Sequence, residues 1–281
     1  MQQSLTSRPQ CTLGPEEFAY ITGVLCRETG IRMMPGKEAL VSGRLDKRLR
    51  ALGLPGYPEY VRYLKGQPDG SPELRQLINL LTTNETFFFR EQQHFDFLRD
   101  TVLPARERTR LFRLWSAASS TGEEAYTAAM VLSEALPDDR WEIVGTDISS
   151  RVVEGAQLGI YPLTAADKIP RQLLRKYCLR GRDEFDGSMA VGRPLRQRVN
   201  FLRHNLMENL GHLGRFDVIM LRNVMIYFDP ETKRQLVGRL QEMLHPGGFF
   251  IVGRSESLNA IPSRLVMVEP SIYRIPGQQR G

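Results

Sequence analysis

The chain of 281 residues is long enough for one large domain or two modest ones. With 41% apolar and 25% charged residues it falls in the globular range, which excludes disordered, collagenous and membrane-embedded compositions. A formal charge of +6 favours an acidic partner, with nucleic acid, anionic lipid and acidic protein all open. Its cysteines, Cys11, Cys26 and Cys178, are odd in number and scattered, which argues against a disulfide framework or zinc cluster and predicts no bound metal. No uncharged apolar run approaches the roughly 18 residues of a bilayer span. Met1 to Gln10 lacks the apolar core of a signal sequence, so a soluble, unexported chain is expected.

In chain order, residues 1–12 read as a flexible tail. Gly14-Pro15-Glu16-Glu17 then opens a helix whose Phe18, Ile21, Val24 and Leu25 share one face and which ends near Gly30. Further helices are predicted over Lys37 to Leu52, Tyr57 to Leu64 and Pro72 to Leu81, separated by Gly and Pro breakers. Residues 13–90 are thus expected to form a helical domain, and 91–110 a linker helix. After Arg110 the period changes. Leu111 to Ala118 and Trp141 to Thr146 have strand character and flank a helix over Glu123 to Leu136. Strands at Val199 to Arg203, Phe216 to Leu221 and Gly248 to Val252 follow, with a helix over Pro230 to Leu244, and this alternation implies a parallel sheet. Leu265 to Val268 and Ser271 to Arg274 read as a closing hairpin. Residues 160–198, basic and marked by Gly181, Gly187 and Gly192, read as an inserted subdomain within 111–281.

The first strand ends in Trp115-Ser116-Ala117-Ala118-Ser119-Ser120-Thr121-Gly122-Glu123-Glu124, a run of small residues opening into a helix, which lets a ligand approach the backbone. The next strand ends in Gly145-Thr146-Asp147, where a doubly wound fold places the carboxylate that grips a ribose. A nucleoside ligand is indicated, although Asp147 taken alone also suits a turn. The run lacks G-x-G-x-x-G, and Glu123 and Glu124 stand where a pyrophosphate needs positive potential. S-adenosylmethionine, with a sulfonium, an ammonium and no phosphate, suits that acidic turn; simple complementation of the helix dipole is the alternative. A second cluster, Leu221-Arg222-Asn223-Val224-Met225-Ile226-Tyr227-Phe228-Asp229-Pro230, follows a strand at the ligand-binding edge of such a sheet. Asp229-Pro230 reads as a helix cap, which leaves Arg222 and Asn223 unexplained. A third, Thr82-Thr83-Asn84-Glu85-Thr86-Phe87-Phe88-Phe89-Arg90-Glu91, combines polar groups with phenylalanines better suited to core packing than to stacking.

Taken together, TTNETFFFRE, WSAASSTGEEAY, GTDIS, Asn205-Leu206, LRNVMIYFD and HPGGFFIVGRSES, in that order, resemble the chemotaxis receptor methyltransferases, the CheR family, from about Leu13 to Tyr273. The resemblance implies an α/β fold: a Rossmann-like S-adenosylmethionine methyltransferase sheet over 111–281, an N-terminal helical substrate-docking domain over 13–90, and a small antiparallel β-subdomain inserted at 160–198. It implies a protein-glutamate O-methyltransferase that esterifies chemoreceptor glutamates for chemotactic adaptation, releasing S-adenosylhomocysteine. Cofactor contacts would come from Asn84, Thr86, Arg90, Glu123, Asp147, Asn205, Leu206, Arg222 and Asn223, with Glu123 and Glu124 not distinguished by spacing. Tyr227 would lie near the transferred methyl and Arg90 would orient the incoming carboxylate, making these two the catalytic candidates. One departure is Ala125, where proline follows the Glu pair in the family; Glu85 and Phe87 fall at variable positions.

A glutamate with a pKa near 4.3 is already an anion at neutral pH, so no catalytic base is required. Lys37, Arg44, Lys47, Arg48 and Arg50 could be a solvated face, but the resemblance implies docking against the acidic methylation region of the cytoplasmic domain of chemoreceptors. It further implies that 160–198 can bind a receptor C-terminal pentapeptide by strand addition, and that the protein is cytoplasmic and recruited to receptor arrays without entering the membrane. A nucleic-acid methyltransferase is disfavoured because Asn223 is followed by Val224-Met225 rather than by the Pro-Pro-aromatic pattern of base methylation, so no nucleic-acid partner is expected. A non-catalytic scaffold that binds the cofactor is the other rival.

Overall fold

The computed structural model describes residues 12–136 and 140–277. Cys11 and nearly all of the expected tail lie outside the described residues. The chain divides into two compact units, Met1–Thr82 and Thr83–Gly281.

The described part of the first unit is helical: α1 (Pro15–Thr29), α2 (Glu38–Ala51), α3 (Tyr57–Lys65) and α4 (Pro72–Leu81). Proline in the first turn and acidic residues beside it start α1, and Gly30 closes it with φ of 76°, a conformation that a side chain would resist. Ser71 caps α4 by accepting from Leu74 N at 3.2 Å. Ile21 and Leu25, Val41 and Leu45, Tyr57 and Tyr60, and Leu77 form the buried core. Within it Glu73 is only 2% exposed and accepts from the Tyr60 hydroxyl at 2.8 Å and from Arg48 Nε at 3.1 Å. Burial and the Glu73 charge push the Tyr60 hydroxyl far above the usual tyrosine range. Arg44 also turns inward, donating to the carbonyls of Leu81 at 2.7 Å and Thr82 at 3.2 Å.

The second unit begins with the segment 83–92 and α5 (Gln93–Phe97), which runs on as a π-turn over Leu98–Val102. The helical stretch is therefore shorter than the 91–110 expected. Turns carry the chain from Leu103 to Arg110, which pairs with Asp217 at 2.5 Å just before the first strand. The strands and helices that follow are β1 (Phe112–Ala117), α6 (Glu123–Ala135), β2 (Trp141–Asp147), α7 (Ser150–Leu158), β3 (Ile160–Pro162), α8 (Arg171–Tyr177), β4 (Cys178–Arg180), β5 (Ser188–Val191), α9 (Arg193–Arg196), β6 (Val199–Arg203), β7 (Phe216–Leu221), α10 (Pro230–Glu242), β8 (Leu244–Val252), β9 (Val266–Glu269) and β10 (Ile272–Arg274).

The main sheet has the order β6-β2-β1-β7-β8-β10-β9, parallel except for β10, which runs antiparallel to both neighbours. The final hairpin therefore inserts its second strand between β8 and β9. Trp115 stands between Val144 of β2 and Ile219 of β7, and this central strand is almost wholly buried. Strand order reverses beside β1, so the crevice at the carboxyl ends of β1, β2, β6 and β7 is where such a sheet receives ligands. Helix α6 covers the sheet with Ala125, Tyr126, Ala128, Ala129, Met130 and Leu132, all buried. The departure from proline at Ala125 leaves the helix starting at Glu123. Residues 160–198 include a separate antiparallel sheet of order β3-β5-β4. Burial pushes the Cys178 thiol at its edge up to about 11. Among the described residues, no group of His, Cys, Asp and Glu could hold a metal ion, and no helix is long and apolar enough to cross a membrane.

Candidate active site

The turn from β1 into α6 has an unusual backbone: Ala118, Ser120 and Gly122 have φ of 67°, 50° and 94°. For alanine and serine this left-handed region costs about 1 kcal/mol or more per residue, so surrounding contacts must hold the turn. Ser119 N donates to the Thr146 carbonyl at 2.8 Å, and Ser120 N to Asp147 Oδ2 at 2.9 Å. The Ser120 hydroxyl donates to the Asn84 carbonyl at 3.0 Å, joining the 83–92 segment to the turn. A Cβ on Gly122 would come within 2.9 Å of Ala156 and Phe201, and one on Gly145 within 2.5 Å of the Phe201 ring. Both glycines are required by close packing.

Asp147, at the end of β2, is 7% exposed, and its other oxygen accepts from Ser149 N at 3.0 Å. Burial pushes its carboxyl up, opposed by the backbone N–H groups of Ser149, Ser120 and Ile148. Asp147, expected from the sequence to meet a ribose, thus fastens the turn.

The acidic pair separates by helical phase. Glu124 accepts from the Ser116 hydroxyl at 2.7 Å and pairs with Arg222 at 2.8 Å. Glu123, 8% exposed, accepts from the Thr121 hydroxyl at 2.7 Å and has no cationic partner among the described residues. Burial pushes both carboxyls up; at Glu124 the Arg222 charge opposes the rise, and at Glu123 only hydrogen bonds do.

Arg222 follows β7 with its side chain 2% exposed, and it also pairs with Glu91 at 3.1 Å. It donates to the Arg90 carbonyl at 2.5 Å. Glu91 accepts from Asn223 Nδ2 at 3.3 Å and Arg254 N at 3.2 Å. Burial raises the Glu91 carboxyl, but Arg222, Asn223 and His94 outweigh that and leave it low. Asn223 has φ of 59°, and its N–H donates to Glu256 at 2.8 Å. Glu256 also accepts from Gly253 N at 2.7 Å, where a Cβ would come within 2.5 Å of Asn223 Nδ2.

On the β6 side, His204 N donates to the Asp147 carbonyl at 2.9 Å, and Asn205 Oδ1 accepts from Met207 N at 3.0 Å. Arg239 of α10 donates to the carbonyls of Leu206, Met207 and Glu208 at 2.9, 3.0 and 3.2 Å, clamping the turn that carries Asn205 and the buried Leu206. Tyr227 lies half-buried at the end of a 3-10 turn, Met225–Tyr227. Thr86 is half-buried, and Arg90 donates to the Glu85 carbonyl at 2.8 Å.

The structure thus joins Asn84 to the turn after β1, Asp147 to that turn and to His204, and Glu124 to Arg222, Glu91 and Asn223. In the first unit, Lys37, Lys47 and Arg50 are exposed on and beside α2, while Arg44 and Arg48 are committed to internal contacts. Sequence reasoning does not single out Glu91, Glu256 or Arg239. The first two lie inside quoted motifs; Arg239 sits on a helix with no local signal.

The donor set fits S-adenosylmethionine. Among the described residues, Glu123 is a buried carboxylate without a cation, suited to an ammonium, and the buried hydroxyls of Ser119 and Ser149 and the Nε2 atom of His204 lack partners at the ends of β1, β2 and β6. Residues 84–273 match the model of the CheR methyltransferase SAM binding domain, and 16–82 that of the CheR methyltransferase all-alpha domain. The chain belongs to the CheR methyltransferase family. Its relatives include Chemotaxis protein methyltransferase 2 of Pseudomonas aeruginosa, 40% identical over 90% of this chain and 92% of the relative. The chemotaxis protein methyltransferases of Salmonella typhimurium and Borreliella burgdorferi are 36% and 33% identical, covering 94% and 92% of this chain and 91% and 94% of their own lengths. CheR membership makes S-adenosylmethionine the cofactor and methyl transfer the reaction.

Proposed function

We propose that this chain is a protein-glutamate O-methyltransferase that converts chemoreceptor glutamates to methyl esters for sensory adaptation. The observation that carries the reading is Glu123: a buried carboxylate with no cation among the described residues, beside a turn of small residues at the carboxyl edge of a parallel sheet. Bound S-adenosylmethionine supplies a methyl group on cationic sulfur and departs as neutral S-adenosylhomocysteine.

The chain's own contribution is placement. A substrate carboxylate is already ionised at neutral pH, so no residue needs to remove a proton. Near-attack placement at about 3 to 3.5 Å and exclusion of water supply the acceleration. Arg90 orients the incoming carboxylate, and Tyr227 lines the place of transfer. Glu123, Asp147, Asn84, Thr86, Asn205, Leu206 and Asn223 hold the cofactor. Arg222, saturated by Glu91 and Glu124, acts by fixing the edge on which Asn223 stands.

Lys37, Lys47 and Arg50 supply the charge that meets the acidic methylation region of the receptor's cytoplasmic domain. The inserted sheet offers edge strands β3 and β4, with Leu179 on β4 65% exposed, to a receptor C-terminal pentapeptide by strand addition. Such a tether would raise local substrate concentration into the millimolar range. The protein works in the cytoplasm, recruited to receptor arrays.

Transfer of labelled methyl from S-adenosylmethionine to receptor cytoplasmic fragments tests the reading. The product should release methanol in mild base, as an ester does and an N-methyl group does not. No transfer to any receptor of the source organism would overturn it.

A further inference from the structure

Phe87 stands between Thr86 and Arg90 in chain order, yet unlike buried Phe88 it is 40% exposed. Two cations share its ring: Arg90 Cζ lies 5.8 Å from the centroid and Lys168 Nζ 5.6 Å. Lys168 ends the 3-10 turn Leu163–Lys168 that follows β3. The ring is thus where the 83–92 segment meets the inserted subdomain. Phe88 anchors the same meeting point by an edge-on contact with Tyr161 at 5.0 Å, and the Tyr161 hydroxyl donates to the Thr121 carbonyl at 2.7 Å.

No carboxylate among the described residues lies within ion-pair distance of Arg90 or Lys168. Two other arginines of the site are already engaged: Arg222 by two carboxylates and Arg239 by carbonyls. An acidic side chain that reaches this exposed ring meets, at Lys168, a cation with no carboxylate already beside it among the described residues. The aromatic face adds a surface for the methylene stem of an acidic side chain.

We propose that Phe87 and Lys168 form a substrate-reading rim that engages an acidic side chain flanking the target glutamate, leaving Arg90 for the target itself. This rests on the glutamate methyltransferase reading. The rim makes Lys168 and Phe87 specificity-determining residues, with an acidic peptide segment as the ligand.

The test measures methyl transfer to a receptor cytoplasmic fragment by wild type, Lys168→Glu, Lys168→Arg and Phe87→Ala, with S-adenosylhomocysteine affinity measured by calorimetry as a control. Reversing the Lys168 charge should raise KM for the fragment about 5-fold at low salt and weaken its salt dependence. Lys168→Arg should preserve both, Phe87→Ala should raise KM, and cofactor affinity should stay within about twofold throughout. Transfer with unaltered KM in both Lys168→Glu and Phe87→Ala would overturn the rim alone. Absence of transfer by the wild type would overturn the functional reading, and the rim with it.

Discussion

Replacing Arg222 by alanine removes the guanidinium that joins Glu91 and Glu124. Its side chain is 2% exposed and those of its partners 15% and 12%, so neither carboxylate can turn to bulk water without local opening. Breaking such a pair from the cationic side leaves uncompensated buried charge, worth about 3–5 kcal/mol. In a unit of this size that corresponds to roughly 6–20 °C in Tm. The cost should depend on pH with a definite sign. Glu91 is held below its ordinary carboxyl value, so its contribution is present above that value and disappears as pH falls through the lower, folded one. Glu124 is already raised by burial; without Arg222 it rises further, so the variant loses still more stability as pH climbs above the ordinary carboxyl value near 4.5. Denaturant melts of wild type and Arg222→Ala at about pH 4.5 and about pH 8 should therefore show the larger difference at the higher pH. A cost below about 1 kcal/mol, or one independent of pH, would refute a buried charge bridge.

Glu123→Gln should weaken cofactor binding with little change in Tm, whereas Glu124→Gln should lower Tm; equal effects on both measurements would show that the two are not divided in this way. Asp147→Ala should reduce S-adenosylhomocysteine affinity by roughly 10- to 150-fold, the worth of charged hydrogen bonds of about 1.5–3 kcal/mol. Unchanged affinity in calorimetry would leave Asp147 with only its turn-fastening role. Arg239→Ala should weaken cofactor binding about 10-fold through the loosened 206–208 carbonyls, read by calorimetry and by faster amide exchange in that turn. Gly145→Ala should destabilise by about 1–3 kcal/mol in denaturant melts, because the new methyl meets the Phe201 ring.

The four N-terminal helices are legible because Pro15, Pro58 and Pro72, acidic first turns and apolar spacing announce them. The buried strands are legible because Leu114, Trp115, Ile219 and Met220 lie in short apolar runs. β8 is not fully legible: it begins at Leu244 rather than Gly248, and the observed strand passes through Pro246-Gly247 with a register irregularity against β7. The linker helix is overread because Leu98–Val102 takes π geometry and the helix then stops. In the site, spacing cannot divide Glu123 from Glu124, because the distinction depends on Arg222, 98 positions from Glu124. The basic face of α2 likewise hides two internal roles, since Arg48 answers Glu73, 25 positions away, and Arg44 answers the carbonyls at the end of α4.

Asp147 accepts from the backbone of two different connections, from Ser120 after β1 and from Ser149 after β2. The hollow between those connections is consequently shaped when the polypeptide folds, before any nucleoside arrives. Little conformational freedom then remains to be surrendered on association, which favours tight retention of both the donor and its spent form. Turnover in such an arrangement is sensitive to how readily the demethylated product departs.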